Sequence, residues 1–77
     1  SKLYEERYKL INLVTDKDGL ANGQQLTSLS IERLKEIEER IQTLSKDFSR
    51  NTGFTDTQRR TYNMYEEKIL QGQKLVD

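Results

Sequence analysis

Apolar residues recur at helical spacing in three stretches, separated by two clusters of turn-forming residues. The middle stretch carries the cleanest pattern. Leu34, Ile37, Ile41, Leu44 and Phe48 are spaced three, four, three, four, with Ile31 beside them. That is an a/d stripe over two heptads, the seam of a coiled-coil-like helix. Its other faces carry Glu32, Arg33, Lys35, Glu36, Glu38, Glu39 and Arg40, the mark of a solvated surface. Glu36 and Arg40 form an i,i+4 pair in the favourable order. The first stretch places Leu3, Tyr4, Leu10, Ile11 and Val14 in one helical sector, flanked by Tyr8 and Leu13. In the third, Tyr62, Tyr65, Ile69 and Val76 share a seam with Gly72, and Met64, Leu70 and Leu75 lie off it.

The boundaries follow from local chemistry. Asp18-Gly19 and Asn22-Gly23 are turn dipeptides, and Gly53 sits in a second break. Thr27, Ser28 and Ser30 are candidate N-caps for the middle helix. Thr55 with Gln58 three residues later reads as a capping box, with Phe54 placed to act as a staple. No stretch alternates with period two, so strands are not expected. The pattern predicts helices over about 2–16, 29–51 and 56–76 in one helical domain spanning 1–77. Expected core positions are Leu10, Ile11, Val14, Leu34, Ile37, Ile41, Leu44, Tyr62, Tyr65 and Ile69. Leu20 and Leu26, in the longer link, are placed to fold over an end of the core. The architecture predicted is all-α, a small antiparallel three-helix bundle. The alternative is a long helical hairpin whose first helix packs on another chain.

Arg7 breaks the first pattern, because it lies near the centre of an apolar sector. A packed stem with the head reaching solvent is the expectation. A buried ion pair or a partner-binding Arg is the alternative.

Composition narrows the function. About a third of the residues are apolar, against roughly 45–50% in average globular chains, so the core will be thin. The chain has no Cys and no His. This removes Ser-His-Asp and Cys-His catalysis, zinc sites built on those residues, and disulfides. Absence of Cys fits a reducing cytoplasm. No apolar run approaches the 18 residues of a membrane span, and no signal-peptide pattern opens the chain. Thirteen basic and thirteen acidic residues cancel, whereas dedicated nucleic-acid binders usually carry a basic field.

Other constellations have plain readings. Asp16, Asp18 and Asn22 begin like a calcium loop, but Ala21 and Thr27 stand where Gly and Glu are needed. Glu32, Glu36 and Glu39 recur along one side, yet interspersed basic residues mark them as a salt-bridged face rather than an acid–base pair. Ser30-Ile31-Glu32-Arg33-Leu34 resembles the Ser-Gln-Glu-Leu-Asp stretch of small helical-hairpin aspartyl-phosphate phosphatases of sporulating bacteria in its Ser and Glu only. The Asp is missing, and membership is not assigned.

The reading reached is a non-enzymatic helical protein-interaction module, regulatory or adaptor-like, that self-associates as a homodimer or docks on a partner protein. Its expected interface is Tyr4, Arg7, Tyr8, Leu13, Met64, Leu70 and Leu75. The alternative is a small helical DNA-binding or transcription-regulating domain using Arg59, Arg60, Asn63 and Lys68. Nucleic acid, membrane, metal and cofactor are not expected.

Overall fold

The computed structural model describes residues 2–75. It is all-α, with three helices: α1 (Lys2–Val14), α2 (Ser28–Leu44) and α3 (Asp56–Leu70). Early α1 meets late α2, where Leu3 packs on the Ile37–Ile41–Phe48 cluster. Late α1 meets early α2, so the two helices are antiparallel. Helix α3 returns along α2 antiparallel to it, with Arg59 at Glu38 and the Leu75 amide at Ser28.

The core lies in two parts. Ile11, Val14, Leu26, Ile31, Leu34 and Tyr62 form the larger one, and Ile37, Ile41 and Phe48 the smaller. Leu26 closes the end of the larger cluster as expected, but Leu20 is exposed. Leu10, Tyr65 and Ile69 are only half-buried against these clusters.

The link after α1 is a folded loop. Thr15 pairs with Ala21 in an isolated antiparallel bridge. The Asp16 carboxylate accepts the amides of Asp18 at 2.8 Å and Leu20 at 3.0 Å, so it is consumed by the turn. Gly19 is buried, with φ of 81°, and its carbonyl accepts the Thr61 hydroxyl at 2.6 Å. A Cβ there would stand 2.9 Å from the Thr57 Cβ, so both the backbone angle and the close approach to α3 require glycine.

Helix α2 starts at Thr27, whose hydroxyl accepts the Ser30 amide. It ends seven residues before the predicted boundary. Ser45 turns extended, and the chain doubles back so that Phe48 packs on Ile37 and Ile41 from a loop. The a/d stripe therefore does not continue as a coiled-coil seam. Leu44, expected in the core, is 68% exposed. Tertiary contacts explain the early stop. Phe48 meets Tyr4 edge-to-face at 5.8 Å, and the following carbonyls of Arg50 and Thr52 accept the Arg7 guanidinium. A continuing helix would forfeit these bonds.

Helix α3 opens with the expected capping box. The Arg59 guanidinium, at the position a staple residue would fill, lies 4.5 Å from the Phe54 ring centroid. The inner face of α3 is polar as much as apolar: Gln58 and Thr61 are buried beside Tyr62. The Gln58 amide donates to Asn12 at 2.9 Å and to Thr15 at 3.1 Å, tying α3 to α1. The helix ends at Leu70, not near 76. Gly72, with φ of 83°, donates to the Ile69 carbonyl and Gln73 to that of Lys68. This is a Schellman stop, which favours glycine at that position. Val76, expected on the α3 seam, lies outside the described residues.

Candidate functional site

The residues expected at an interface do not form one surface. Tyr8 faces a hollow shared with Asn12, Thr55 and Thr57, on the α3 side of α1. Leu13 faces the opposite side, toward Leu29 of α2. Tyr4 leans on Phe48. Met64 and Leu70 are exposed on α3, about six residues apart on different faces. Leu75 is half-buried on the larger core cluster, and Arg7 is turned inward at 2% exposure. Leu75 and Arg7 are therefore parts of the packing rather than of a free face.

Arg7 takes the buried alternative. It donates to Glu38 at 2.7 Å, with both side chains at 5% exposure or less. Its guanidinium is sandwiched between the rings of Phe48 and Phe54, 4.9 and 4.2 Å from their centroids. Arg50 at 3.1 Å and Arg59 at 3.0 Å reach the same Glu38 carboxylate. Arg59 also donates to the Arg50 carbonyl, so two guanidiniums clamp the α2–α3 loop. Burial pushes the Glu38 carboxyl upward, but the Arg7 hydrogen bond and the charges of Arg59 and Arg50 outweigh it and hold it below the usual range. Beside it, burial together with Glu38 and Glu66 pushes the Tyr62 phenol far above its usual range. Its hydroxyl donates to Glu66 at 3.1 Å.

This knot takes Arg59 out of the proposed DNA-reading set. The Arg59 side chain is only 13% exposed, and its head is committed to Glu38 and the Arg50 carbonyl. Asn63 accepts from Arg59 at 3.4 Å, and the Lys68 ammonium lies 4.7 Å from the Tyr65 ring centroid. Arg60 is exposed and, among the described residues, bonds only Thr57, at 3.3 Å. The four do not converge on one face.

On the other side of the α1–α2 pair, the surface is open. Leu10, Leu13 and Leu29 wall a hollow of about 400 Å³, rimmed by Glu6, Lys9 and Arg33. A second hollow, of about 410 Å³, continues past Arg33 to Leu3, Ile37 and Arg40. No α3 residue lines either one. Between them Arg33 grips Glu6 with two bonds, at 2.6 and 2.8 Å, and also bonds Glu36. The expected Glu36–Arg40 pair is thus replaced by Glu36–Arg33. The Arg33 hydrogen bond holds the Glu6 carboxyl below the usual range.

Two residues of this picture escaped the sequence reading. Leu29 lies off the α2 stripe, and only its i,i+4 spacing to Arg33 hints at a shared outer face. Glu38 stood among charged neighbours as one more solvated carboxylate. Its spacing of four from Leu34 and three from Ile41 puts it at the flank of the buried stripe, where a pair for Arg7 could have been sought.

Among the described residues, no helix is long and apolar enough to cross a membrane. The chain matches no protein-family model, no curated protein and no solved structure.

Proposed function

We propose that this chain is a non-enzymatic protein-interaction module, regulatory or adaptor-like, that docks a partner protein in the crevice between α1 and α2. The observation that carries the reading is the open hollow walled by Leu10, Leu13 and Leu29, which α3 leaves uncovered. Leu13 is 50% and Leu29 75% exposed. Single exposed leucines are ordinary, but apolar residues gathered in one concave face with a charged rim mark an interaction surface.

Side-chain chemistry favours binding over catalysis. There is no His or Cys to supply a nucleophile–base pair. Of the carboxylates that recur along α2, Glu36 is held by Arg33, and Glu6 and Glu38 are held by arginines as well. Nucleic-acid binding through α3 has less support, because Arg59 is committed to the fold.

Selection from a displayed library of helical peptides tests the reading, with a Leu13→Asp/Leu29→Asp variant as the counter-target. Both leucines are exposed, so the variant keeps the wild-type helical circular dichroism. Peptides enriched on the wild type and rejected by the variant are the expected result. Enrichment that the variant retains in full, or none at all, overturns it.

A further inference from the structure

The chemistry of the crevice also specifies its occupant, an inference that rests on the docking reading above. The two hollows run end to end along the α1–α2 pair, on either side of the Arg33–Glu6 bridge. From Leu29 to Arg40 the α2 wall is twelve residues long, and the eleven steps between its ends span about 16 Å at helical rise. Three turns of a helix would fill that length. Leu10, Leu13 and Leu29 offer apolar contact at one end, and half-buried Leu3 offers it at the other, above the fully buried Ile37.

The charges along the rim are unequal in their freedom. Glu6 and Glu36 share the one Arg33, so the middle of the rim holds an ion-paired cluster with one net negative charge. Lys9 at one end and Arg40 at the other have no ion-pair or hydrogen-bond partner among the described residues. Both free charges are therefore positive, and they bracket the apolar floor. A ligand is best met by acidic residues at its two ends and aliphatic side chains between.

We propose that the occupant is an amphipathic helix of another protein, about three turns long, with aliphatic residues on one face and a carboxylate at each end. It would lie beside α1 and α2 as the fourth helix of the bundle. A second copy of this chain fits less well. Two such faces related by a two-fold axis would set Lys9 against Lys9 or against Arg40, cation upon cation.

Two fluorescein-labelled fifteen-residue peptides test this by anisotropy at physiological salt. Both carry leucines at helical i, i+4, i+7 spacing. One has Glu at both ends, and the other has Lys there. The Glu-ended peptide should bind the wild type, and its affinity should fall about five- to tenfold in Lys9→Glu/Arg40→Glu. The Lys-ended peptide should bind that variant better than the wild type. Both residues are exposed and unpaired, so the variant should keep its helicity.

Equal binding of both peptides to the wild type, abolished by Leu13→Asp/Leu29→Asp, would overturn the acidic occupant and leave the docking reading standing. No peptide binding, with sedimentation equilibrium showing a Leu13- and Leu29-dependent dimer, would name a second copy as the occupant and overturn the inference. No peptide binding by a monomeric chain, with nothing enriched from the displayed library, would remove both.

Discussion

Two Arg–Glu bridges join α1 to α2, with opposite polarity and in opposite surroundings. Arg7 of α1 meets Glu38 of α2 with side-chain exposures of 3% and 5%. Glu6 of α1 meets Arg33 of α2 with both near 42%. Glu6 and Arg7 are chain neighbours, yet a helix sends adjacent side chains about 100° apart, so one bridge faces α3 and the other faces water. The inner bridge gathers Arg50 and Arg59 and holds the loop that delivers α3. The outer bridge holds nothing else down and separates two open hollows. The same pair of side chains is thus a structural fastening on one side and a rim on the other. Burial makes the difference, because the cost of leaving a partner unpaired depends on whether water can replace the one removed.

The largest effect should come from breaking the inner bridge. Glu38→Ala leaves Arg7 buried without its carboxylate, and loss of one partner of a buried pair costs about 3–5 kcal/mol. A domain of this size has total stability on the order of 4–12 kcal/mol. Urea unfolding followed by circular dichroism should show a large drop in midpoint. A midpoint within experimental error of wild type would mean that the knot contributes no net stability.

Gly19→Ala should come next. It places a Cβ 2.9 Å from Thr57 at a positive φ, and a strained backbone of this kind costs about 1–3 kcal/mol. Gly23→Ala is the control, since open space surrounds that position and its φ is not in the left-handed region. Equal midpoints for the two variants would contradict the close packing of the loop on α3.

Acid should separate the bridges more finely. The Glu38 carboxyl is held below its usual range in the folded chain. Its stabilising contribution is complete above the unfolded value of about 4.3, and is lost as pH falls through the folded value. Wild-type melting temperature should therefore fall below about pH 4.5. Glu38→Gln should start lower and show a flatter fall over that range, keeping only the share due to other carboxylates such as Glu6. A slope unchanged in Glu38→Gln would remove Glu38 from the acid response.

The smallest effect belongs to the outer bridge. Arg33→Ala should change stability by less than about 1 kcal/mol, because an exposed pair exchanges its partner for water. A loss as large as that of Glu38→Ala would erase the distinction between the two.

The sequence carried the helix count and most of the larger core, because Ile11, Val14, Ile31, Leu34 and Tyr62 repeat at helical spacing. The capping box was legible because its two bonds are local. What escaped depends on partners distant in the chain. Leu44 and Phe48 both fall on the seam of the heptad pattern, and only the carbonyl bonds of Arg7, forty-odd residues away, decide that the helix stops between them. Gly72 was visible as a glycine, but whether it frays, packs or stops a helix depends on the bonds that its own amide and that of Gln73 make. The open crevice was the least legible feature. It exists because α3 settles on one side of the α1–α2 pair, held there by Gln58, Thr61 and the Glu38 knot, and of these polar residues only Arg7 lies within an apolar stripe.

The asymmetry between the two sides of that pair is tested most directly by amide chemical-shift mapping. The Glu-ended peptide is titrated into isotopically labelled chain. Shifts should concentrate at Lys9, Leu10, Leu13, Leu29 and Arg33, and leave Arg59, Arg60 and Asn63 unmoved. Shifts centred on α3, with Leu13 and Leu29 silent, would contradict the assignment of binding to the open side and of structure to the buried one.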